Sequence, residues 1–294
     1  MPSGARAGDS KNSFKDKYDA YKKIVNDYLE ANLPVLVLEG QGRLDDAMRY
    51  CVMSGGKRLR GVLSLAVCEL LGGDANLILP LACAIEYIHA YSLVHDDLPC
   101  MDDDDFRRGM PSCHKAYGEG IAVLAGDGLL NLAFEIMLNN AVKAPRKYKF
   151  IEAAAFIANA SGPDGMLGGQ AMDLCADISD EAQLSSLHRL KTGKLFDAAV
   201  LAPAICLGAG EADYSALAEF SGEIGLAFQI RDDLIDMDAG EDSGERGNYV
   251  TLTGARRAGE KLREICARAA DSLDRFAGRA DFLRGIVSFV SEIE

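Results

Sequence analysis

The sequence predicts an all-α protein, and three features of its apolar pattern indicate this class. Apolar residues recur at helical spacing through long alanine-rich segments, the alternation of a β-strand is absent, and the segments end at glycine, proline or aspartate-rich stretches. The predicted helical segments are residues 15–38, 43–54, 59–71, 77–98, 121–141, 150–160, 183–208, 214–236 and 255–293.

The breaks between these segments fall at residues that interrupt helices. Gly40 separates the first two segments, and the pair Gly55-Gly56 precedes the third. Pro99 follows the fourth segment, where its ring clashes with the carbonyl four residues back and its nitrogen cannot donate a hydrogen bond. Without a repeat or low-complexity linker, we expect one helical domain over residues 13–294, after a disordered N-terminus at residues 1–12.

Composition excludes several classes of function. The chain has 294 residues and a net charge of −14, whereas a nucleic-acid-binding surface must be basic. Its eight cysteines are dispersed and form no CxxC pair, which is typical of a reduced, cytoplasmic protein. The N-terminus is polar and no run of eighteen apolar residues follows, so we expect neither secretion nor a membrane span.

Six aspartates lie within ten residues, at positions 96, 97 and 102–105. His89 lies seven residues before Asp96, on the same helical face. Because Pro99 interrupts the helix, regular spacing does not decide which later aspartate approaches Asp96. An acidic loop after a kinked helix is the simpler interpretation. The adjacent Arg107-Arg108 favours a site instead, because guanidinium groups bind phosphate beside carboxylates that hold a cation.

A second acidic group shares one face of an apolar helical segment. Gln229, Asp232, Asp233 and Asp236 have the spacing i, i+3, i+4 and i+7. A solvated acidic face is the usual interpretation of such a pattern, but the residues before it are too apolar for that. Clustered carboxylates without a set of histidine and cysteine ligands favour Mg²⁺, which binds one or two carboxylates together with phosphate oxygens.

Basic residues that could bind an anion lie elsewhere in the chain. In GGKRLR, residues 55–60, two glycines precede a helix start whose free amides attract anions, and Lys57 and Arg60 share a face. A P-loop is excluded because Cys51 occupies a required glycine position. Lys191-Thr192 is a weaker signal, and a solvated helix end is the favoured interpretation of this segment taken alone.

Together these segments resemble the trans-isoprenyl diphosphate synthase family, most closely its bacterial-type farnesyl diphosphate synthases. Five motifs occur in the family's order and spacing: GGKRLR, HAYSLVHDDLPCMDDDDFRRG, GGQAMDL, KTGKLF and GLAFQIRDDLID. The resemblance implies an antiparallel helix bundle around a central cavity, usually homodimeric. It also implies three Mg²⁺ ions and two substrates, isopentenyl diphosphate and an allylic diphosphate such as dimethylallyl or geranyl diphosphate.

The resemblance also assigns roles to residues. The implied metal ligands are Asp96, Asp102 and Asp232, supported by Asp97, Asp103, Asp233 and Asp236. The allylic diphosphate would be held by Arg107, Lys191, Thr192 and Gln229, and isopentenyl diphosphate by Gly56, Lys57, Arg60, His89 and Arg108. The implied catalytic set is Asp96, Asp97, Asp102, Arg107, Lys191 and Asp232.

The remaining expectations concern the chain length of the product and the departures of this sequence from the family's pattern. Tyr91 and Ser92, just before Asp96, and the two extra residues Pro99-Cys100 resemble farnesyl synthases, with geranyl or geranylgeranyl products as alternatives. Arg246 stands where relatives have a substrate-binding lysine, the connection 237–245 is short, and the C-terminus is acidic.

Other classes of protein are disfavoured. This chain lacks the dispersed histidines that an HD-type phosphohydrolase needs. It keeps the aspartates that a noncatalytic prenyltransferase subunit would have lost, and it has the GGKRLR segment that a terpene cyclase would lack.

Overall fold

The computed structural model describes residues 6–238 and 248–292, and its architecture is all-α, as predicted. The helices are α1 Arg6–Asn32, α2 Gly42–Met53, α3 Leu59–Leu70, α4 Ala75–Asp96, α5 Cys113–Tyr117, α6 Glu119–Ala141, α7 Lys147–Ser161, α8 Met166–Cys175, α9 Glu181–His188, α10 Lys194–Leu207, α11 Glu211–Asp238, α12 Tyr249–Thr253, α13 Ala255–Asp271 and α14 Asp281–Ser291. A π-helical segment, Arg189–Gly193, joins α9 to α10, and a 3₁₀ helix, Asp274–Ala280, precedes α14.

The chain forms two compact units. Unit 1 comprises Met1–Leu65 and Asp74–Lys147, and unit 2 comprises Ala66–Gly73 and Tyr148–Glu294. Residues 1–5, 239–247 and 293–294 lie outside the described part of the chain. Residues 1–5 belong to the segment 1–12 that was predicted to be disordered. The helix α1 begins at Arg6, inside that segment. The expectation of a single domain stays a prediction.

Unit 1 is built around α4, which is apolar on all sides and largely buried. The helices α1, α2 and α6 pack on it. Gly126 lets α6 approach closely, because a Cβ there would lie 2.1 Å from His95 Nε2. His95 Nε2 in turn donates to the Val123 carbonyl at 3.1 Å.

A short hairpin follows α4 in unit 1. The strands β1, Phe106–Arg107, and β2, Met110–Pro111, pair antiparallel. The connecting residues Arg108 and Gly109 have φ values of 56° and 76°, as a two-residue hairpin turn of the primed type requires. Arginine rarely adopts this conformation, so the turn holds the Arg108 backbone in an uncommon position.

Unit 2 is built around α11, which packs on α10, α13, α14 and the π-helical segment. Gly225 of α11 lies against that segment, since a Cβ there would be 3.2 Å from Gly193 Cα. From α8, Gly169 approaches the same segment even more closely, at 2.2 Å from a built Cβ to Lys191 N. The two glycines thereby allow helices on both sides to support the π-helical turn.

The structure corrects several predicted helix boundaries. The predicted segment 183–208 is interrupted by the π-helical turn, and segment 255–293 is broken around the 3₁₀ helix, where Ala277 has a φ of 48°. The fourth helix ends at Asp96 rather than at residue 98, three residues before Pro99. The short helices α5, α8 and α12 were not predicted, because five to ten residues give too little periodicity.

Within the described residues, two helices, α4 and α6, are long and apolar enough to cross a membrane. The most apolar window of α4 is 78% buried inside the fold, as in the core helix of a globular protein, whereas that of α6 is 39% buried. The predicted absence of a membrane span therefore stays a prediction. Burial in the core does not account for the apolar residues on the exposed side of α6.

Candidate functional site

The chain turns back sharply after α4, and this turn brings the first aspartates together. Asp102 N donates to the Asp96 carbonyl at 2.9 Å, and Asp103 N donates to the Leu98 carbonyl at 3.1 Å. Asp103 has a φ of 52°, in the left-handed region. The backbone of Asp102 consequently lies beside that of Asp96, which the sequence spacing across Pro99 did not reveal.

Asp97 differs from its neighbours because it is buried, with 2% of its surface exposed. Arg107 Nε donates to Asp97 Oδ1 at 2.9 Å, and Arg107 Nη2 contacts Asp97 and, at 2.8 Å, Asp104 Oδ2. Burial raises the pKa of the Asp97 carboxyl, while the Arg107 guanidinium opposes that rise. Asp97 therefore anchors Arg107, and through it the hairpin.

The remaining aspartates of the first motif are more accessible. Asp102, Asp103 and Asp105 are exposed, and Asp96 is half-buried. Asp105 pairs with Lys115 at 2.6 Å, which lowers the pKa of its carboxyl. Asp103 Oδ1 lies 3.8 Å from Nε2 of the buried His114. Asp96 and Asp102 lie in the same turn, and Asp96 also interacts electrostatically with the Arg107 guanidinium.

The GGKRLR segment lies against the hairpin. Gly55 and Gly56 have φ values of 104° and 115°, which glycine adopts most readily. A Cβ at Gly56 would lie 3.0 Å from Cζ of Arg108, and Arg108 Nη1 donates to the Gly55 carbonyl at 2.6 Å. The predicted residues Gly56 and Arg108 are therefore in direct contact, and a side chain at position 56 would displace the guanidinium.

His89 lies within a group of arginines in unit 1. Burial and then the nearby Arg60, Arg108, Arg58 and Arg107 lower the pKa of its imidazole well below the usual value. The ring is neutral at pH 7 and retains one N–H donor. A neutral donor among guanidinium groups is suited to bind a multiply charged anion such as a diphosphate.

The two residues predicted to set the chain length of the product, Tyr91 and Ser92, are adjacent in α4. Tyr91 is buried, and its hydroxyl has no hydrogen-bond partner among the described residues. Its ring centroid is 5.8 Å from that of His95. Ser92 is half-buried, and its hydroxyl donates to the His89 carbonyl at 3.0 Å.

In unit 2, the π-helical segment carries Lys191 and Thr192. Single π-helical turns inside α-helices often occur at functional sites, because they reorient side chains. Lys191 Nζ pairs with Asp173 of α8, in the GGQAMDL motif. Both polar atoms of the Gln170 amide in that motif are buried without a hydrogen-bond partner in the described residues. The sequence pattern alone did not assign Gln170 or Asp173 to the site, because nothing in their spacing pairs them with Lys191.

A chain of hydrogen bonds connects the π-helical segment to the second aspartate motif. Thr192 Oγ1 donates to Gln229 Oε1 at 2.9 Å, and Gln229 Nε2 donates to Asp233 Oδ1 at 3.0 Å. The other Asp233 oxygen accepts from Tyr249 N at 2.7 Å. Asp233 is 1% exposed, so both of its oxygens serve the fold.

Asp232 and Asp236 are the accessible carboxylates of this motif. The Asp232 side chain is 38% exposed and lies 3.7 Å from Arg231 Nη1, and Asp236 is half-buried. The i, i+4 bond from Gln229 to Asp233 agrees with the predicted shared face. Arg246 and most of the short connection 237–245 lie outside the described residues.

The donors present in unit 1 fit Mg²⁺. No group of three histidine, cysteine, aspartate or glutamate side chains that could hold a metal by itself occurs within residues 6–238 and 248–292. The neighbouring Asp96 and Asp102 instead supply two carboxylate side chains from one turn, beside the Arg107 guanidinium. Mg²⁺ commonly binds through one or two carboxylates and completes its coordination with water and substrate phosphates.

Comparisons with known proteins give one consistent family. The polyprenyl synthetase family model matches residues 41–247. Farnesyl diphosphate synthase from Geobacillus stearothermophilus is 39% identical, over 87% of this chain and 89% of that protein. Geranylgeranyl diphosphate synthase from Cyanophora paradoxa is 36% identical, over 92% of this chain and 93% of that protein.

A solved structure agrees with these relatives. The structure of an FPP/GFPP synthase from Zymomonas mobilis has a TM-score of 0.84 and 38% identity, and the likeness covers 97% of this chain and 100% of that one. The chain belongs to the polyprenyl synthetase family, whose members are prenyltransferases. Enzymes of this family use Mg²⁺, and their substrates are isopentenyl diphosphate and an allylic diphosphate.

The low pKa of His89 predicts a pH-dependent stability. The folded protein binds the His89 proton more weakly than the unfolded chain, so stability is full above pH 6.5 and falls as the pH drops below it. Stability should therefore decline more steeply between pH 8 and pH 5.5 in the wild type than in a variant without this imidazole. Urea unfolding of the wild type and of His89→Gln at pH 8 and 5.5 measures it, and an equal decline in both proteins would contradict the prediction.

Proposed function

We propose that this chain is a short-chain prenyl diphosphate synthase that condenses isopentenyl diphosphate with dimethylallyl or geranyl diphosphate, with farnesyl diphosphate as its product. The supporting observation is the turn that places Asp102 beside Asp96, next to the Arg107 anchored by Asp97. Geranylgeranyl and geranyl diphosphate are alternative products. The relatives include both farnesyl and geranylgeranyl diphosphate synthases.

Ionisation of the allylic substrate is the demanding step in this proposal. Cleavage of its C–O bond leaves a carbocation and a pyrophosphate, and cationic groups stabilise the developing negative charge. Arg107, Lys191 and the hydroxyl of Thr192 would hold the allylic diphosphate, together with Gln229. Mg²⁺ bound by Asp96, Asp102 and Asp232 would add charge stabilisation for the same leaving group, and we propose three ions.

The second substrate would be held by the basic residues of unit 1. Lys57, Arg60 and Arg108 would contact the diphosphate of isopentenyl diphosphate, and the neutral imidazole of His89 would donate a hydrogen bond to it. The isopentenyl double bond then attacks the cation, and the pyrophosphate accepts the proton that is lost. His89 would therefore act in binding, because its lowered pKa makes it a weak base.

A coupled assay of a matched pair of variants tests this function. We expect Mg²⁺-dependent pyrophosphate release and prenyl products from isopentenyl and geranyl diphosphate. Asp96→Asn should lower kcat by roughly a hundredfold to a thousandfold, as when one charge-stabilising group is lost. Asp105→Asn should change it little, because Asp105 is exposed and pairs with Lys115. Release of orthophosphate without a prenyl product would instead support a phosphohydrolase, and no turnover with any pair of substrates would sink the proposal.

Tyr91 is proposed to limit the length of the product. Its ring is buried, and its hydroxyl has no hydrogen-bond partner among the residues that the structure describes, so the ring acts through its volume. Tyr91→Ala should shift the products from farnesyl toward geranylgeranyl diphosphate. Tyr91→Phe, which keeps the ring, should leave them unchanged. Chromatography of the hydrolysed products measures both, and an unaltered distribution in the alanine variant would rule out this role.

We further propose that the chain is a homodimer that buries one face of α6. Val123, Leu130, Phe134 and Leu138 share this face with the exposed Asp127, and Val123 and Leu138 are 41% and 65% exposed. An apolar stripe of this kind is typical of a subunit interface. Such an interface would account for the low burial of α6 without a membrane, and it agrees with the predicted cytoplasmic localisation.

A single charge should disrupt this interface. Leu138→Glu places a carboxylate on the apolar face, so we expect the mass measured by light scattering to fall from two chains to one. Val37→Glu is the matched control, because Val37 is 85% exposed in the loop before α2 and should not affect assembly. A wild-type protein that is monomeric at micromolar concentration would refute the dimer.

A further inference from the structure

Arg58 differs from the other basic residues of GGKRLR because its guanidinium points into the fold. It is 5% exposed, whereas Lys57 is exposed and Arg60 is half-buried. Arg58 Nε donates to Asn26 Oδ1 of α1 at 2.7 Å, and Arg58 Nη2 donates to the Val52 carbonyl of α2. Arg58 Nη1 lies 3.8 Å from Glu86 Oε2. All three nitrogens of Arg58 therefore have partners inside unit 1.

Glu86 of α4 completes this arrangement and is itself 3% exposed. Its Oε1 accepts a hydrogen bond from Gly61 N, in the first turn of α3, at 2.9 Å. Gly61 leaves little room for a side chain, because a Cβ there would lie 2.9 Å from Val25 Cγ1 and force the buried Val25 to shift. One carboxylate thus binds the guanidinium of Arg58 and an otherwise free amide at the start of the next helix.

The backbone of the segment depends on this anchor. Arg58 has a φ of 53°, in the left-handed region that non-glycine residues adopt only when their surroundings impose it. The preceding Lys57 carbonyl accepts a hydrogen bond from the Tyr18 hydroxyl at 2.7 Å. Lys57 and Arg60 lie on either side of Arg58, so its conformation determines where both of their side chains start.

We propose that the buried Arg58–Glu86 pair is a positioning element that sets Lys57 and Arg60 for the diphosphate of isopentenyl diphosphate. The proposal rests on the proposed function. A buried ion pair adds little net stability, because desolvation offsets the attraction, and apolar residues of similar volume often replace it without loss. The pair is needed for the left-handed turn and for the affinity that the turn provides, and it makes no direct contact with substrate.

Steady-state kinetics with each substrate varied separately tests the pair. The double variant Arg58→Met/Glu86→Leu removes both charges and keeps the volume, but it leaves Gly61 N and the Val52 carbonyl without these partners, so it should fold with a melting temperature a few degrees below that of the wild type. Its KM for isopentenyl diphosphate should rise by about tenfold or more, a factor that corresponds to ~1.4 kcal/mol of lost binding. Its KM for the allylic diphosphate should stay within about twofold of the wild type.

Single substitutions separate geometry from charge. Arg58→Lys keeps the positive charge but loses the planar fork, so it should also raise the KM for isopentenyl diphosphate if positioning is the role. If Arg58 attracted the substrate only through its charge, this variant would keep the wild-type KM. Glu86→Gln keeps a hydrogen-bond acceptor for Gly61 N and loses the charge that pairs with Arg58, so its effect on KM should not add to that of Arg58→Lys.

A stability control and the wild-type assay make the outcomes distinct. Leu129→Ala removes a buried side chain of α6 and should lower the melting temperature without changing either KM. An unchanged KM for isopentenyl diphosphate in the folded double variant and in Arg58→Lys, or equal increases for both substrates, would overturn the positioning role. Absence of coupling by the wild-type protein would instead overturn the proposed function itself.

Discussion

The positions of the predicted site residues depend on one constraint, which is that a carboxylate inside the fold must be bonded. A buried carboxylate is tolerated only when its oxygens are paired or hydrogen-bonded. Glu86, Asp97 and Asp233 are each 3% exposed or less, and each accepts a hydrogen bond through at least one carboxylate oxygen. Each therefore fixes the segment beside it: the start of α3, the hairpin after α4, and the first turn of α12.

Because of this constraint, the two aspartates of each adjacent pair have different roles. One is buried and holds the fold, and the other is accessible. Asp97 is bound by Arg107 while Asp96 remains half-buried, and Asp233 is bound by Gln229 and Tyr249 while Asp232 is accessible. Adjacent residues of a helix project about 100° apart, so one can enter the core while the other does not. The repeated aspartates of both motifs are therefore chemically unequal, although the letters of the sequence are the same.

Periodicity was sufficient to predict the helical class and the shared face of Gln229 and Asp233, because both depend on local spacing. It did not predict the turn after Pro99, since the bond from Asp102 N to the Asp96 carbonyl depends on an irregular backbone. The π-helical turn at Lys191 was also missed, because it depends on tertiary packing against Gly169 and Gly225. The inward direction of Arg58 could not be predicted, since its partners come from α1, α2 and α4.

The interleaving of the two units has a consequence for synthesis of the chain on the ribosome. Ala66–Gly73 belongs to unit 2, although residues of unit 1 precede and follow it. Its contacts come late: a Cβ at Gly73 would lie 2.6 Å from Leu207, and Arg279 reaches the Leu70 carbonyl. At about 5–20 residues per second, these apolar residues wait many seconds for their neighbours. Chaperones that shield nascent chains would meet this protein at that stage, and neither unit could be obtained by a single proteolytic cut.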